Sequence, residues 1–222
     1  MKWGVLHFPG SNDERDTVYA LESILGYDAR LLWHGDRNVS DCDAIVLPGG
    51  FSYGDYLRCG ALARFSRVME AVAAFAESGG PVLGICNGFQ VLCEAGILPG
   101  ALVQNRGLKF RCIPTELTIE NNTTAFTRSF ASGDRAVIPV KHGEGCYVAD
   151  QRTLAEIQDN GQVVFRYTNN PNGSIDDIAG ISNRHGNVVG LMPHPEHAVD
   201  PLTGVTDGQA LFQSVGAWKE AA

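Results

Sequence analysis

The sequence predicts an α/β fold in which a mostly parallel central sheet carries helices on both faces, with a small antiparallel extension. Short apolar runs alternate with longer amphipathic segments along most of the chain, which is typical of parallel strands covered by helices. The 222 residues, 44% of them hydrophobic, are enough to bury one substantial core. No internal repeat or linker divides them, so we predict a single domain over residues 1–222.

Four apolar segments in the first half of the chain are predicted as strands. They are Trp3–Phe8, Arg30–Trp33, Ala44–Leu47 and Pro81–Ile85. One helix is predicted to begin near Asp13, after the cap-like Ser11-Asn12. A second is predicted to begin near Ala61, because apolar residues then recur at helical spacing.

The second half of the chain is predicted to complete the sheet. Residues from about Phe110 to Val140 are rich in β-branched side chains, and we expect the sheet to turn antiparallel there. Asn169–Ser174 has the composition of a turn. The remaining predicted elements are the returning strands Gln162–Tyr167, Ile178–Ser182 and Asn187–Met192 and a closing helix at Gly208–Trp218.

Charge, hydropathy and cysteine usage exclude several classes of protein. The formal net charge of −8 gives no basic surface for nucleic acid. No segment resembles a signal peptide or a membrane span, so we expect a soluble, cytoplasmic protein without a membrane partner. The six cysteines lack paired spacing, and we expect them to be reduced and to hold no metal.

The segment around Cys86 has the layout of a nucleophile elbow. An apolar strand leads into Gly84-x-Cys86-x-Gly88 and then into a helix-compatible stretch. The glycines leave room where backbones crowd, and the helix N-terminus favours a thiolate. A packing cysteine at a tight turn is the alternative that this motif leaves open.

A histidine and a glutamate near the C-terminus complete a candidate triad. Pro195 biases His194 toward an extended conformation, which allows His194 and Glu196 to share one face. A carboxylate on one ring nitrogen leaves the other nitrogen free to take the thiol proton. A proline-rich surface loop is the alternative, and the elbow at Cys86 makes it the weaker one.

A glycine pair after the third predicted strand is a candidate oxyanion hole. Pro48-Gly49-Gly50 leaves backbone N–H groups accessible. We expect the amides of Gly50, Phe51 and Asn87 to hold the developing negative oxygen. A plain Gly-Gly turn is the alternative.

These motifs, in this order over nearly the whole chain, resemble the class I, triad-type glutamine amidotransferases. Within the family, Phe51–Arg58 and His142–Gly145 indicate the branch of glutaminase subunits that serve phosphoribosylformylglycinamidine synthase in purine biosynthesis. The resemblance implies a flavodoxin-like fold. The segments that carry it are Phe8–Asn12 with Arg15-Asp16, Pro48–Arg58, Gly84–Gln90, His142–Gly145 and Met192–Glu196.

The resemblance also implies roles for individual residues. Cys86 would be the nucleophile, His194 the general base and then acid, and Glu196 its orienter. Gln90 and His142 would lie at the glutamine site, although a solvent-facing helix position and a plain turn are their respective alternatives. Glu144 falls in the same segment as His142, near either the active site or a partner interface.

Two positions depart from the usual pattern of this branch. Asp13 stands where the branch often has a cysteine, and Lys109 stands where arginine is common. The glutamine contacts of the loop 105–111 are therefore left unassigned.

The chain lacks a G-x-x-x-x-G-K-[ST] loop, so we expect the ATP-dependent step to occur elsewhere. The resemblance implies no cofactor in this chain and places ATP and magnesium in a large synthetase subunit. That subunit amidates formylglycinamide ribonucleotide, with a small bridging subunit in some bacteria. A stand-alone cysteine hydrolase, a non-catalytic binding subunit, and an amidotransferase serving GMP, CTP or anthranilate synthesis are the alternatives.

Overall fold

The protein is described by a computed structural model covering residues 1–221, and Ala222, the last residue of the predicted domain, lies outside them. A π-helical turn, Ala20–Ile24, continues the first helix. In chain order the elements are β1 (Lys2–His7), α1 (Glu14–Tyr19), β2 (Asp28–Trp33), β3 (Ala44–Leu47), α2 (Arg67–Glu77), β4 (Val82–Ile85), α3 (Asn87–Glu94), β5 (Ala101–Val103), β6 (Arg111–Ile119), β7 (Arg135–His142), β8 (Cys146–Val148), α4 (Gln151–Asp159), β9 (Val163–Tyr167), β10 (Ile178–Ser182), β11 (Val188–Leu191) and α5 (Gln209–Ala221).

Nine strands form one sheet in the order β2-β1-β3-β4-β11-β10-β9-β6-β7. Pairing is parallel from β2 through β11. It is antiparallel from β11 through β7. Strands β5 and β8 form a separate antiparallel pair. The predicted parallel sheet with an antiparallel extension is confirmed, and the extension within residues 1–221 includes four strands of the main sheet.

The parallel strands are apolar because both of their faces are covered. Every residue of β3, β4 and β11 is buried, as expected for strands packed between two helical layers. Buried side chains from β1 to α5 form one continuous hydrophobic core. The predicted strands in the first half of the chain and the three returning strands are confirmed.

The second helix begins later than predicted. Helix α2 begins at Arg67, after Ser66 in an extended conformation, and only a 3-10 turn, Ala63–Phe65, precedes it. Gly60 has a positive φ of 78°, and a Cβ there would lie 2.7 Å from the Val91 nitrogen. This close approach to α3 sets an irregular path for the chain, which the apolar spacing alone did not reveal.

Helix α4 and the β5–β8 pair were not predicted. Asp150 caps α4 by accepting a hydrogen bond from the Thr153 amide at 2.7 Å. An acidic cap before the apolar Leu154 and Ile157 was a usable signal in the sequence. None of the five α-helices within residues 1–221 combines the length and apolar character needed to cross a membrane.

The turn between β4 and α3 depends on direct backbone packing. A Cβ on Gly88 would lie 2.0 Å from the carbonyl oxygen of Leu47, at the end of β3. A Cβ on Gly84 would lie 2.9 Å from the carbonyl group of Gly88. Both glycines therefore allow the first turn of α3 to contact the sheet, as the elbow motif predicted.

Replacing Gly88 with alanine is expected to destabilise the protein by about 1–3 kcal/mol or to prevent folding, because backbone atoms have no room to move aside. The free energy of unfolding, measured in urea, tests this. Gly216→Ala is the matched control, because beyond the adjacent backbone of its own helix no atom of the described residues lies within 4 Å of the new Cβ. Gly216 lies inside α5, so alanine there should stabilise the protein by roughly 0.5–1 kcal/mol. Equal effects of the two substitutions would contradict the packing argument.

Candidate active site

A cavity of about 350 Å³ lies at the carboxyl ends of the parallel strands. Ligands of open α/β sheets bind in this position, where loops after several strands meet. Residues after β1, β3, β4 and β11 form one side of the cavity, and the end of β7 with the following loop forms the other. The lining residues are Asn12, Asp13, Gly50, Phe51, Asp55, Cys59, Cys86, Gln90, Phe110, Lys141, His142, Gly143, Glu144 and His194.

Cys86 occupies the turn from β4 into α3, with φ 50° and ψ −103°. A positive φ is a strained conformation for a residue with a side chain, and it is typical of a nucleophile elbow. The Cys86 amide donates to the Leu191 carbonyl at 2.8 Å, which fixes the turn to β11. The thiol lies at the wall of the cavity and at the N-terminus of α3.

His194 and Glu196 form a buried hydrogen-bonded pair. His194 has φ −107° and ψ 88°, and Pro195–His197 form a 3-10 turn. His194 Nδ1 lies 2.6 Å from Glu196 Oε1, and the two residues are 1% and 4% exposed. Nε2 of His194 has no hydrogen-bond partner among the described residues. The histidine thus presents one bound and one free nitrogen.

The electrostatic environment of His194 favours its protonated form. Burial disfavours an imidazolium, but the negative charge of Glu196 and the interaction with Cys86 outweigh this and raise the pKa of His194 to about 10. At neutral pH the ring is therefore an imidazolium. A thiolate–imidazolium pair is the reactive form of a cysteine nucleophile.

Two of the three predicted oxyanion amides have no hydrogen-bond partner in the part of the chain that the structure describes. These are the amides of Gly50 and of Asn87, the first residue of α3. The Phe51 amide instead donates to the Gly10 carbonyl at 2.9 Å, next to a β-bridge between Ser11 and Gly50. An oxyanion role for Phe51 requires this hydrogen bond to break.

Gln90 is buried rather than solvent-facing, and it links two walls of the cavity. Its Nε2 donates to the Glu144 carbonyl at 2.5 Å, and its Oε1 accepts from Asn87 Nδ2 at 2.8 Å. The Asn87 side chain also accepts from the Ser52 amide at 3.1 Å. Glu144 accepts from the Cys59 thiol at 3.0 Å. The structure therefore places Glu144 at the cavity.

His142 lies in the cavity wall with both ring nitrogens near protein groups. Nδ1 is 3.1 Å from Asn105 Oδ1, and Nε2 is 3.5 Å from Asn172 Nδ2. Burial, with the nearby charge of His194, lowers the pKa of His142 to about 4, so the ring is neutral. A Cβ on Gly145 would lie 2.5 Å from this ring. These contacts connect His142 to the loops that line this side of the cavity.

Asn105 was not singled out from the sequence, although its loop was. Its side-chain amide donates to the carbonyls of Lys109 and His142, both at 2.9 Å. Its oxygen accepts from the Gly145 amide at 3.0 Å. Asn105 thereby ties the loop 105–111 to the end of β7. An asparagine in a glycine-containing loop was its only signal in the sequence.

Three further residues beside the triad, Asp13, Lys141 and His197, were also missed as site residues. Asp13 Oδ2 lies 3.6 Å from His194 Nδ1, and Asp13 Oδ1 lies 3.5 Å from His197 Nε2. Lys141 Nζ donates to Asp13. In the sequence, Asp13 stood out only as the start of a helix and as a departure from the pattern of the branch that the chain resembles. Lys141 and His197 adjoin predicted residues in sequence, and adjacency was their only signal.

Comparison with known proteins establishes the family. The model of the CobB/CobQ-like glutamine amidotransferase domain matches residues 1–219. The chain belongs to this family. The predicted resemblance and fold class are thereby confirmed, and the chain carries a glutamine amidotransferase domain.

Individual amidotransferases match along nearly their whole length. Phosphoribosylformylglycinamidine synthase subunit PurQ of Trichormus variabilis is 55% identical over 216 residues, which cover 97% of this chain and 96% of that protein. The subunit of the same name from Moorella thermoacetica is 54% identical over 229 residues, covering 99% and 97%. A chain in the structure of PurLQS from Thermotoga maritima is 45% identical, with a TM-score of 0.90 and 98% coverage of both chains.

Replacing Glu196 with glutamine is expected to lower the pKa of His194 in this amidotransferase, because one of the charges that stabilise the imidazolium is removed. An NMR titration of the ¹⁵N-labelled histidines measures the pKa of His194. The His194 signal is assigned by its loss in His194→Asn. Glu116→Gln is the matched control. Glu116 also pairs with a basic side chain, Arg135 at 2.9 Å, but it lies on β6 and is not among the residues that line the cavity. An unchanged His194 pKa in Glu196→Gln would contradict the pairing.

Proposed function

We propose that this protein is the glutaminase subunit of phosphoribosylformylglycinamidine synthase. It hydrolyses glutamine at Cys86 and delivers the ammonia to a separate ATP-dependent synthetase subunit, which converts formylglycinamide ribonucleotide to formylglycinamidine ribonucleotide. One observation carries the chemistry: the elbow cysteine and the unpaired Nε2 of a buried, carboxylate-bound histidine line the same cavity. Identities of 54–55% to PurQ subunits support the choice of substrate and pathway.

In the proposed reaction, the Cys86 thiolate attacks the side-chain carbonyl carbon of glutamine. The amides of Gly50 and Asn87 stabilise the oxygen on which negative charge develops. The His194 imidazolium donates its Nε2 proton to the leaving nitrogen, and ammonia departs from a thioester on Cys86. Neutral His194 then takes a proton from water, which attacks the thioester and releases glutamate.

Glu196 keeps His194 in the orientation that this proton transfer needs. Its hydrogen bond to Nδ1 fixes the ring and leaves Nε2 directed to the reacting atoms. Gln90, His142 and Glu144 shape the rest of the glutamine site through their contacts across the cavity. The whole chain, residues 1–222, acts as one domain in this proposal, which the single continuous core supports.

The partner follows from the relatives and from the missing phosphate-binding motif. The relatives carry the name of a synthase subunit, and the Thermotoga maritima relative belongs to a structure named PurLQS. We propose that a large synthetase subunit binds ATP and magnesium, that a small bridging subunit joins the complex, and that this chain needs no cofactor of its own. A cytoplasmic location remains a prediction from the sequence.

Replacing Cys86 with alanine is expected to lower glutamine-dependent synthesis by the complex at least about 10³-fold, because the elbow thiol that forms the thioester is lost. Synthesis from ammonium chloride should be unchanged, since it bypasses this site. Cys112→Ala is the control, because Cys112 is an exposed thiol on β6. Substantial glutamine-dependent synthesis by Cys86→Ala would overturn the proposal.

The purified chain alone is expected to be a poor glutaminase that its synthetase partner activates, because ammonia released without an acceptor is wasted. Glutamate production, measured with and without the partner subunits, tests this. A steady-state rate for the isolated chain as high as that of the complex would count against partner activation.

A further inference from the structure

Asp13 is a buried carboxylate that the proposed mechanism does not use. It occupies the N-cap position of α1, yet its side chain makes no capping hydrogen bond within the described chain. The carboxylate lies at the triad instead, 3.6 Å from His194 Nδ1. Glu196 lies 2.6 Å from the same nitrogen. Two carboxylates therefore face one edge of the His194 ring.

The structure keeps Asp13 ionised at this position. Burial alone would raise the pKa of Asp13, but the His197 ring 3.5 Å away, the charge of His194 and the ammonium of Lys141 hold it well below its usual range. A charge that is only 3% exposed needs such partners to be stable. Asp13 is consequently a carboxylate at neutral pH.

The backbone leaves room for this arrangement at Gly49. A Cβ on Gly49 would lie 2.3 Å from Asp13 Oδ2 and 2.6 Å from His194 Cε1. The Asn12 and Asp13 amides both donate to the Gly49 carbonyl, at 3.2 and 3.3 Å. The loops after β1 and β3 thus hold the Asp13 carboxylate against the His194 ring.

We infer that Asp13 is a positioning residue, a second carboxylate that stabilises the imidazolium form of His194, and that Lys141 opposes it by neutralising part of its charge. The inference rests on the proposed function, in which His194 must donate a proton to the leaving ammonia. The Asp13 carboxylate faces the His194 ring, so its effect on the reaction is carried by the histidine.

Other charged and titratable groups around His194 are accounted for. Glu196 already binds Nδ1, and Cys86 lines the same cavity as the His194 ring. Neutral His142 contributes no charge, and Asp16 lies beyond His197, 3.8 Å from its Nε2. His197 itself is 3.5 Å from Asp13. Asp13, His194, Glu196 and His197 lie close enough together to hold a metal ion, but Lys141 already supplies a cation beside Asp13.

The proposed roles of Asp13 and Lys141 predict that their replacement shifts the pKa of His194 in opposite directions. In Asp13→Asn the pKa of His194 should fall by about one unit or more, because a negative charge near the ring is lost while its shape is kept. In Lys141→Met the pKa should rise, because Asp13 is no longer neutralised. Packing damage alone would not move the two variants in opposite directions.

The experiment is an NMR titration of His194 in the ¹⁵N-histidine-labelled full-length chain. Asp43→Asn is the matched control: Asp43 also pairs with a lysine, Lys219, but it precedes β3 at the opposite end of the sheet. The control should leave the His194 pKa unchanged. If Asp13→Asn does not fold, the same titration in the smaller variant Asp13→Ser decides. An unchanged pKa in Asp13→Asn, or shifts of the same sign in both variants, would overturn the inference.

Activity of the complex gives a second readout. The proton-donating form of His194 is lost as pH rises through its pKa, so the alkaline decline of glutamine-dependent kcat should begin at lower pH in Asp13→Asn. At a pH on that decline the variant should be about tenfold slower than wild type for a one-unit shift. The titration needs no glutamine, so failure of the proposed function and failure of this inference are distinguishable. An alkaline decline that does not move would contradict the role of Asp13.

Discussion

The first turn of helix α3 lies directly on the backbone at the end of β3, and the site depends on this contact. Gly88 allows the contact, since a Cβ would lie 2.0 Å from the Leu47 carbonyl oxygen. The approach places Cys86 in a strained conformation and brings its helix N-terminus beside the glycine turn after β3. The thiol and the amides of Gly50 and Asn87 are therefore positioned by one packing constraint rather than by separate loops.

The histidine is positioned from both halves of the sheet. The His194 amide donates to the Pro139 carbonyl of antiparallel β7 at 2.8 Å, while the residue itself follows β11 of the parallel half. Lys141 and His142 extend from the end of β7 to the same cavity. The antiparallel extension is thus part of the site, because it supplies one wall and fixes the base that faces the elbow.

The sequence was most informative where function depends on local spacing. The glycines that flank Cys86 are two positions away from it, and Glu196 is two positions away from His194. The local geometry of each group could therefore be predicted. The His194–Glu196 contact forms as expected, although a 3-10 turn rather than an extended chain closes it. Asp13 and Lys141 are in contact although 128 positions separate them in the sequence, and no local pattern predicts such a contact.

Tertiary contacts also explain the remaining differences. The Phe51 amide is bound to Gly10 because the loops after β1 and β3 pair through Ser11 and Gly50, which spacing cannot show. The later start of α2 follows from Gly60 packing on the backbone of α3. In each case a residue distant in sequence decides the conformation.

Gly49 limits which substitutions the site can accept. Its missing side chain is the space that the Asp13 carboxylate and the His194 ring share. A side chain at position 49 would meet both groups at once, so a change at position 13 alone could not accommodate it. Glycine at position 49 is therefore a requirement of the histidine as well as of the carboxylate beside it.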